Sequence, residues 1–161
     1  MAIKCSSENE VDKMITDILR IVAEEITRTL SYLGEQCRVR IRDRSAEESW
    51  IDRTGNLRSS IGYAVYGYGK KIVEGAFDIV KEGREGTEVG RKYVRELASE
   101  FAKVYALVVV AGMSYAEYVE AIESKDVLAS TELWAKAKID EYMQKTQERA
   151  ERRINKYLAA A

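Results

Sequence analysis

The chain has 161 residues, 46% of them hydrophobic, which suits one domain with a substantial core. Its 26 lysines and arginines nearly cancel its 27 aspartates and glutamates, and the net charge of −1 speaks against a general nucleic-acid binder while leaving room for a local basic patch. There is no histidine and no proline, so a Ser-His-Asp triad, a histidine general base and an imidazole metal ligand are excluded.

The first predicted element is a helix over 7–33. Ser7 and Glu10 have capping-box spacing. Val11, Met14, Ile15, Ile18, Val22, Ile26, Leu30 and Leu33 follow at intervals of three and four, and Gly34 reads as the stop. Residues 1–6 read as a flexible N-terminus without signal-peptide character. Cys5 and Cys37 form no CxxC pair and fit a reduced history better than a disulfide framework; Cys37 has no histidine to activate it.

Arg38, Arg40, Arg42 and Arg44 alternate with Val39, Ile41 and Asp43. A strand would line the arginines up on one face, whereas a helix would spread them around its axis. Their functional reading is non-specific phosphate contact; the plainer one is a solvated face paired with acidic neighbours such as Glu47 or Glu48. Residues 45–52 read as a loop anchored by Trp50.

Asp52, Thr54, Gly55 and Asn56 supply turn chemistry, with one helical turn after them at 57–61. A β-hairpin is predicted over 62–80, turning at Gly67, Tyr68, Gly69 and Lys70, with Val73, Gly75, Phe77 and Ile79 on one face. The turn has the glycines and lysine of a phosphate loop but lacks the rest: Ile72 stands where a dinucleotide fingerprint needs glycine, and Lys71 where a P-loop needs serine or threonine. A middle helix over 87–104 presents Val89, Tyr93, Val94, Leu97 and Phe101. The apolar run 106–111 reads as a strand covered on both faces, and the last helix spans 130–158 with Glu132/Lys136, Glu141/Lys145 and Glu148/Arg152 as i,i+4 pairs. The predicted class is α+β: one domain with a small antiparallel sheet, a middle helix and two long terminal helices. No apolar run approaches the ~18 residues of a membrane span. The carboxylate pairs Glu24/Glu25, Glu47/Glu48 and Glu117/Glu120 read as exposed charge, so no catalytic residue, metal site or cofactor is expected.

Two segments carry a family resemblance. One runs Asp52-Arg53-Thr54-Gly55-Asn56-Leu57-Arg58-Ser59-Ser60-Ile61; the other contains Tyr115-Ala116-Glu117-Tyr118-Val119-Glu120 after the apolar run. In order, with a helix between, they resemble the tail-completion or tail-to-head joining proteins of bacteriophage necks, over roughly 52–128. Where many members continue with an R-P-F-L-like sequence, this chain has Lys125-Asp126-Val127-Leu128. The resemblance implies a structural virion protein without chemistry, forming a typically six-fold homo-oligomeric ring between the connector (portal side) and the tail tube, with DNA passing through the lumen. It implies assembly in the host cytoplasm, and it makes Gly55, Leu57, Arg58, Tyr115, Tyr118 and Glu120 interface candidates. The 67–70 turn would be an extended arm. The alternative reading is a non-specific nucleic-acid-binding module built on Arg38, Arg40, Arg42 and Arg44.

Overall fold

The computed structural model describes residues 8–45, 50–122 and 125–160. In chain order these form α1 (Glu8–Arg42), α2 (Asn56–Ser59), β1 (Ile61–Gly67), β2 (Lys70–Glu74), α3 (Arg84–Glu96), a 3-10 turn (Leu97–Phe101), β3 (Tyr105–Ala111), α4 (Ala116–Ala121) and α5 (Ala129–Ala160). The fold is α+β, with a three-stranded antiparallel sheet in the order β2-β1-β3 and long terminal helices. The chain divides into two compact units: Met1–Thr29 with Ile139–Ala161, and Leu30–Lys138.

The first unit is a packed pair of helical segments, one from α1 and one from α5, a helical hairpin in packing although the chain between them forms the second unit. Its contact is built on a polar centre. Glu25 is buried and accepts from Arg149 Nε at 2.8 Å and from Arg153 at 2.9 Å. Arg149 also donates to Thr29 at 2.6 Å, and the Thr29 and Thr146 hydroxyls meet beneath it. Arg153 reaches Glu24 at 2.6 Å, and the Tyr157 hydroxyl donates to Asp17 at 2.9 Å. Glu25 is therefore not the exposed charge expected of the Glu24/Glu25 pair. It continues the row Met14, Ile18, Ile21 at spacings of four and three, so it has to face the partner helix. Ile15 and Leu19, one position along, are exposed instead.

The second unit holds the sheet. Helix α1 does not stop at Gly34. Leu30, Leu33, Cys37 and Ile41 continue its buried stripe, and Gly34 is there for close approach: a Cβ on it would lie 2.4 Å from the Tyr63 ring. The expected start at Ser7 and its capping box lie outside the described residues, as do Glu47 and Glu48.

Strand β1 is buried along its whole length because it is the central strand with both faces covered. Successive residues of β3 serve opposite faces. Val109 and Ala111 join Ile41, Trp50, Leu57, Ile61, Ala116 and Val127. Ala106, Val108 and Val110 join Ala64, Tyr66, Phe77 and Val94. The expectation that this run is covered on both faces holds.

The hairpin is shorter than expected. Tyr68 and Gly69 form a two-residue turn with φ of 53° and 76°, both left-handed, which matches the twist of the flanking strands. The predicted second strand ends at Glu74, with one further ladder bond from Gly75 N to Tyr63 O, and residues 76–80 leave the ladder. Phe77 is buried while Ile79 is 54% exposed, so the period-two pattern fails there. Tertiary contacts decide this: Val80 N donates to Ser59 Oγ at 2.8 Å, and Asp78 takes two arginines of α1. The middle helix also differs. It starts at Arg84 and gives way to the 3-10 turn after Glu96. It packs through Gly86, Thr87, Gly90 and Val94, leaving Tyr93 of the predicted stripe 42% exposed.

Candidate functional site

The two motif segments lie in the second unit and share one apolar cluster: Leu57 and Ile61 from the first, Ala116 and Val119 from the second. Three of their polar residues, Asn56, Arg58 and Glu120, do one job, which is to satisfy the ends of helices. A helix leaves its last carbonyls and first N–H groups without internal partners. The Arg58 guanidinium donates to the Arg42 carbonyl, at the C-terminus of α1, and to Arg44 O at 3.1 Å. It stacks 5.0 Å from the Trp50 ring centre, with Asp52 at 3.8 Å. A cation placed there also suits the negative end of the helix dipole. Asn56 Oδ1 accepts from Gly86 N, in the first turn of α3, at 3.3 Å.

Glu120 does the same for α5. Its carboxylate accepts from Val127 N at 2.9 Å, Leu128 N at 2.7 Å and Ala129 N at 3.1 Å. Three N–H groups and the positive end of a long helix thus converge on one anion. Replacing Glu120 with alanine is expected to lower stability by about 1–2 kcal/mol, the upper range for losing a helix cap. Glutamine keeps an acceptor oxygen and should lose less than half as much. Urea unfolding midpoints of the two variants check this.

The interface candidates therefore separate. Gly55 and Leu57 are buried, and Arg58 is turned inward to α1, so these three are framework and not surface. Tyr115 and Tyr118 are exposed, by 40% and 72%. Partial burial raises the Tyr115 hydroxyl pKa, and the Asp52 and Glu85 carboxylates push it the same way.

The arginines do not line a strand. Arg38 and Arg42, one turn apart on α1, both donate to Asp78, at 2.7 and 2.8 Å, and Arg38 also pairs with Glu35. The hydrogen bond from Arg42, with that from Arg38, holds the Asp78 carboxyl below its ordinary pKa against the opposing effect of burial. Arg40 lies over the Trp134 ring at 5.3 Å. Arg44 pairs with Asp126 and donates to Ser130 at 2.7 Å and Thr131 at 2.6 Å. Each arginine of the run thus has an intramolecular partner.

The 67–70 turn is not a free arm. Tyr68 N donates to Val104 O at 3.0 Å, Gly69 N to Phe101 O at 3.1 Å, and the Tyr68 ring meets Tyr105 edge-on at 5.4 Å. Cys37 is buried, and that burial pushes its thiol pKa up to about 11, so it stays protonated at neutral pH. Among the described residues no three His, Cys, Asp or Glu side chains cluster as a metal site would require, and no helix is long and apolar enough to cross a membrane.

Helix capping by Arg58 and Glu120 was not legible in the sequence. No local signal could have found it: Arg58 lies 16 residues past the end of α1 and Glu120 nine before the start of α5, each within a short helix of its own. Comparison of the chain with protein-family models, curated proteins and solved structures finds no match.

Proposed function

We propose that this protein is a structural subunit of a bacteriophage neck. It assembles as a homo-oligomeric ring, six-fold by the resemblance, that joins the capsid connector to the tail tube in the virion. The observation that supports this reading is the convergence of the two resembling segments. They build one cluster and cap three helices, so they act as the frame that sets where α1, α3 and α5 leave the sheet. The exposed tyrosines 115 and 118 sit on that frame and offer amphipathic surface to a neighbour. The work is then interface complementarity repeated by symmetry.

The nucleic-acid reading has less support, because Arg38, Arg42 and Arg44 are held by carboxylates and Arg40 by an indole ring. Purified protein mixed with connector and tail-tube proteins should yield rings at the junction by negative-stain microscopy. Tyr118→Ala should weaken that joining without changing the unfolding midpoint. Failure to join either protein, together with normal virions from a strain lacking the gene, rejects the proposal.

A further inference from the structure

The sheet has two edges, and they are not alike. The β2 edge is short and carries Lys70 and Lys71, both exposed, the usual guard against unwanted strand pairing. The β3 edge, Tyr-Ala-Leu-Val-Val-Val-Ala, has no charge and no proline.

The register shows which backbone groups that edge presents. Ile61 pairs with Ala111 and Gly67 with Tyr105. Gly112 N donates to Ser60 O at 3.2 Å, so the even-numbered residues of β3 exchange hydrogen bonds with β1. Consistently, Tyr63, an odd residue of β1, accepts from Gly75 N on the opposite side. The N–H and C=O groups of residues 105, 107, 109 and 111 therefore point away from the sheet, and among the described residues no backbone group pairs with them.

This edge is the floor of a channel. One stretch, about 330 Å³, runs over residues 107–109 between Phe101 on one side and Leu128 with the α5 residues Thr131 and Ala135 on the other. The next, about 380 Å³, runs over Val109–Ala111 between Tyr93 and Leu97 on one wall and Leu128 and Glu132 on the other. The two share Val109, Leu128 and Glu132, so they are continuous. A channel with unpaired backbone along its floor, apolar side chains on one wall and mixed ones on the other has the shape of a missing strand.

We propose that the β3 edge is a docking site for an extended segment of another polypeptide, about seven residues or ~23 Å long at ~3.3 Å per residue. The segment is apolar on the face toward Tyr93, Leu97 and Phe101 and polar or small on the face toward α5, which presents Thr131, Glu132 and Lys136 beside Ala135. It carries a lysine or arginine at the end beside Ala111, where Glu117 lines the channel; Glu120 there already accepts from three N–H groups and Glu132 pairs with Lys136. A second copy of this chain does not fit as well: among the described residues β1 is paired on both sides, β2 opens with two lysines, and the β3 edge lies recessed between the same walls and would have to enter a channel from the floor of another. The inference stands apart from the neck reading, since rings can form through other surfaces while this edge stays open.

The test is residue-resolved amide hydrogen exchange on the full chain, with the peptide acetyl-Lys-Val-Thr-Val-Thr-Val-Thr-amide as probe. In the protein alone, Ala106, Val108 and Val110 should exchange slowly and Tyr105, Leu107, Val109 and Ala111 fast. With peptide at ~1 mM, exchange at those four should slow by about tenfold or more, and a fully N-methylated peptide, which lacks strand donors, should have no effect. Unchanged exchange at the odd-numbered amides overturns the proposal. So does slow exchange at those amides without peptide: independent of protein concentration, it means the chain covers its own edge, and rising with concentration, it means a second copy is the occupant.

Discussion

Replacing Gly55 with alanine is expected to lower unfolding stability by about 3–5 kcal/mol, in the range reserved for severe single substitutions. Gly55 has φ of +85°, a conformation that costs an L-residue roughly 1–2 kcal/mol. The larger part comes from space. A Cβ would lie 1.8 Å from the Val80 carbonyl oxygen, and backbone on both sides would have to give way. That shift would pull Val80 from Ser59 Oγ and disturb the Gly55 carbonyl, which accepts from Ser59 N at 2.9 Å and starts the turn that places Arg58. Gly69 provides the control. Its φ is +76°, but its nearest foreign atom is Ala102 Cα at 3.3 Å. Gly69→Ala should therefore cost only the backbone term, about 1–2 kcal/mol. Chemical denaturation of the two variants separates strain from collision. Equal losses would show that the Val80 contact is not what demands glycine at position 55.

Arg149→Met is expected to destabilise the helical hairpin by about 2–4 kcal/mol, somewhat under the 3–5 kcal/mol for breaking a buried ion pair because Arg153 still reaches Glu25. The cost lies in the carboxylate left behind: Glu25 is buried, and Arg149 is its partner from within the hairpin contact. The pair also has a pH signature. The hydrogen bond from Arg149, joined by that from Arg153, holds the Glu25 carboxyl below its ordinary pKa against the effect of burial. A carboxyl with a depressed folded-state pKa contributes stability that is complete above its unfolded value, about 4.3, and is lost as pH falls through the folded value. The parent should lose this contribution below about pH 4, and the variant, having lost most of it already, should show a shallower decline over the same interval. Replacing Glu25 and Arg149 together with leucines should restore most of the stability, since an apolar pair needs no compensating charge. Thermal unfolding by circular dichroism at neutral and acid pH checks all three outcomes. A double variant as unstable as Arg149→Met would mean that the two residues do not act as a pair.

Both predictions concern positions whose importance the sequence shows only indirectly. Periodicity located the long helices and the strand ending in Val108-Val109-Val110, because burying one stripe or two alternating faces leaves a pattern along the chain itself. It also gave the turn at Tyr68–Gly69, where local backbone chemistry decides. Gly34 was misleading for a physical reason. A glycine that ends a helix and one that lets a neighbour approach look identical in sequence, and only the Tyr63 ring against it distinguishes them.

What the sequence determined by itself, then, is the α+β class, the order of the elements and the absence of histidine chemistry, all of which follow from composition and short-range spacing. The tertiary structure decided the rest. It ended β2 at Glu74, buried Glu25, gave Arg38 and Arg42 a common carboxylate 36 to 40 residues away, and turned Arg58 and Glu120 into caps for α1 and α5. These outcomes depend on partners distant in the chain. A charged residue bears no local mark of whether it faces water or a helix end, and that choice is made only when the elements pack.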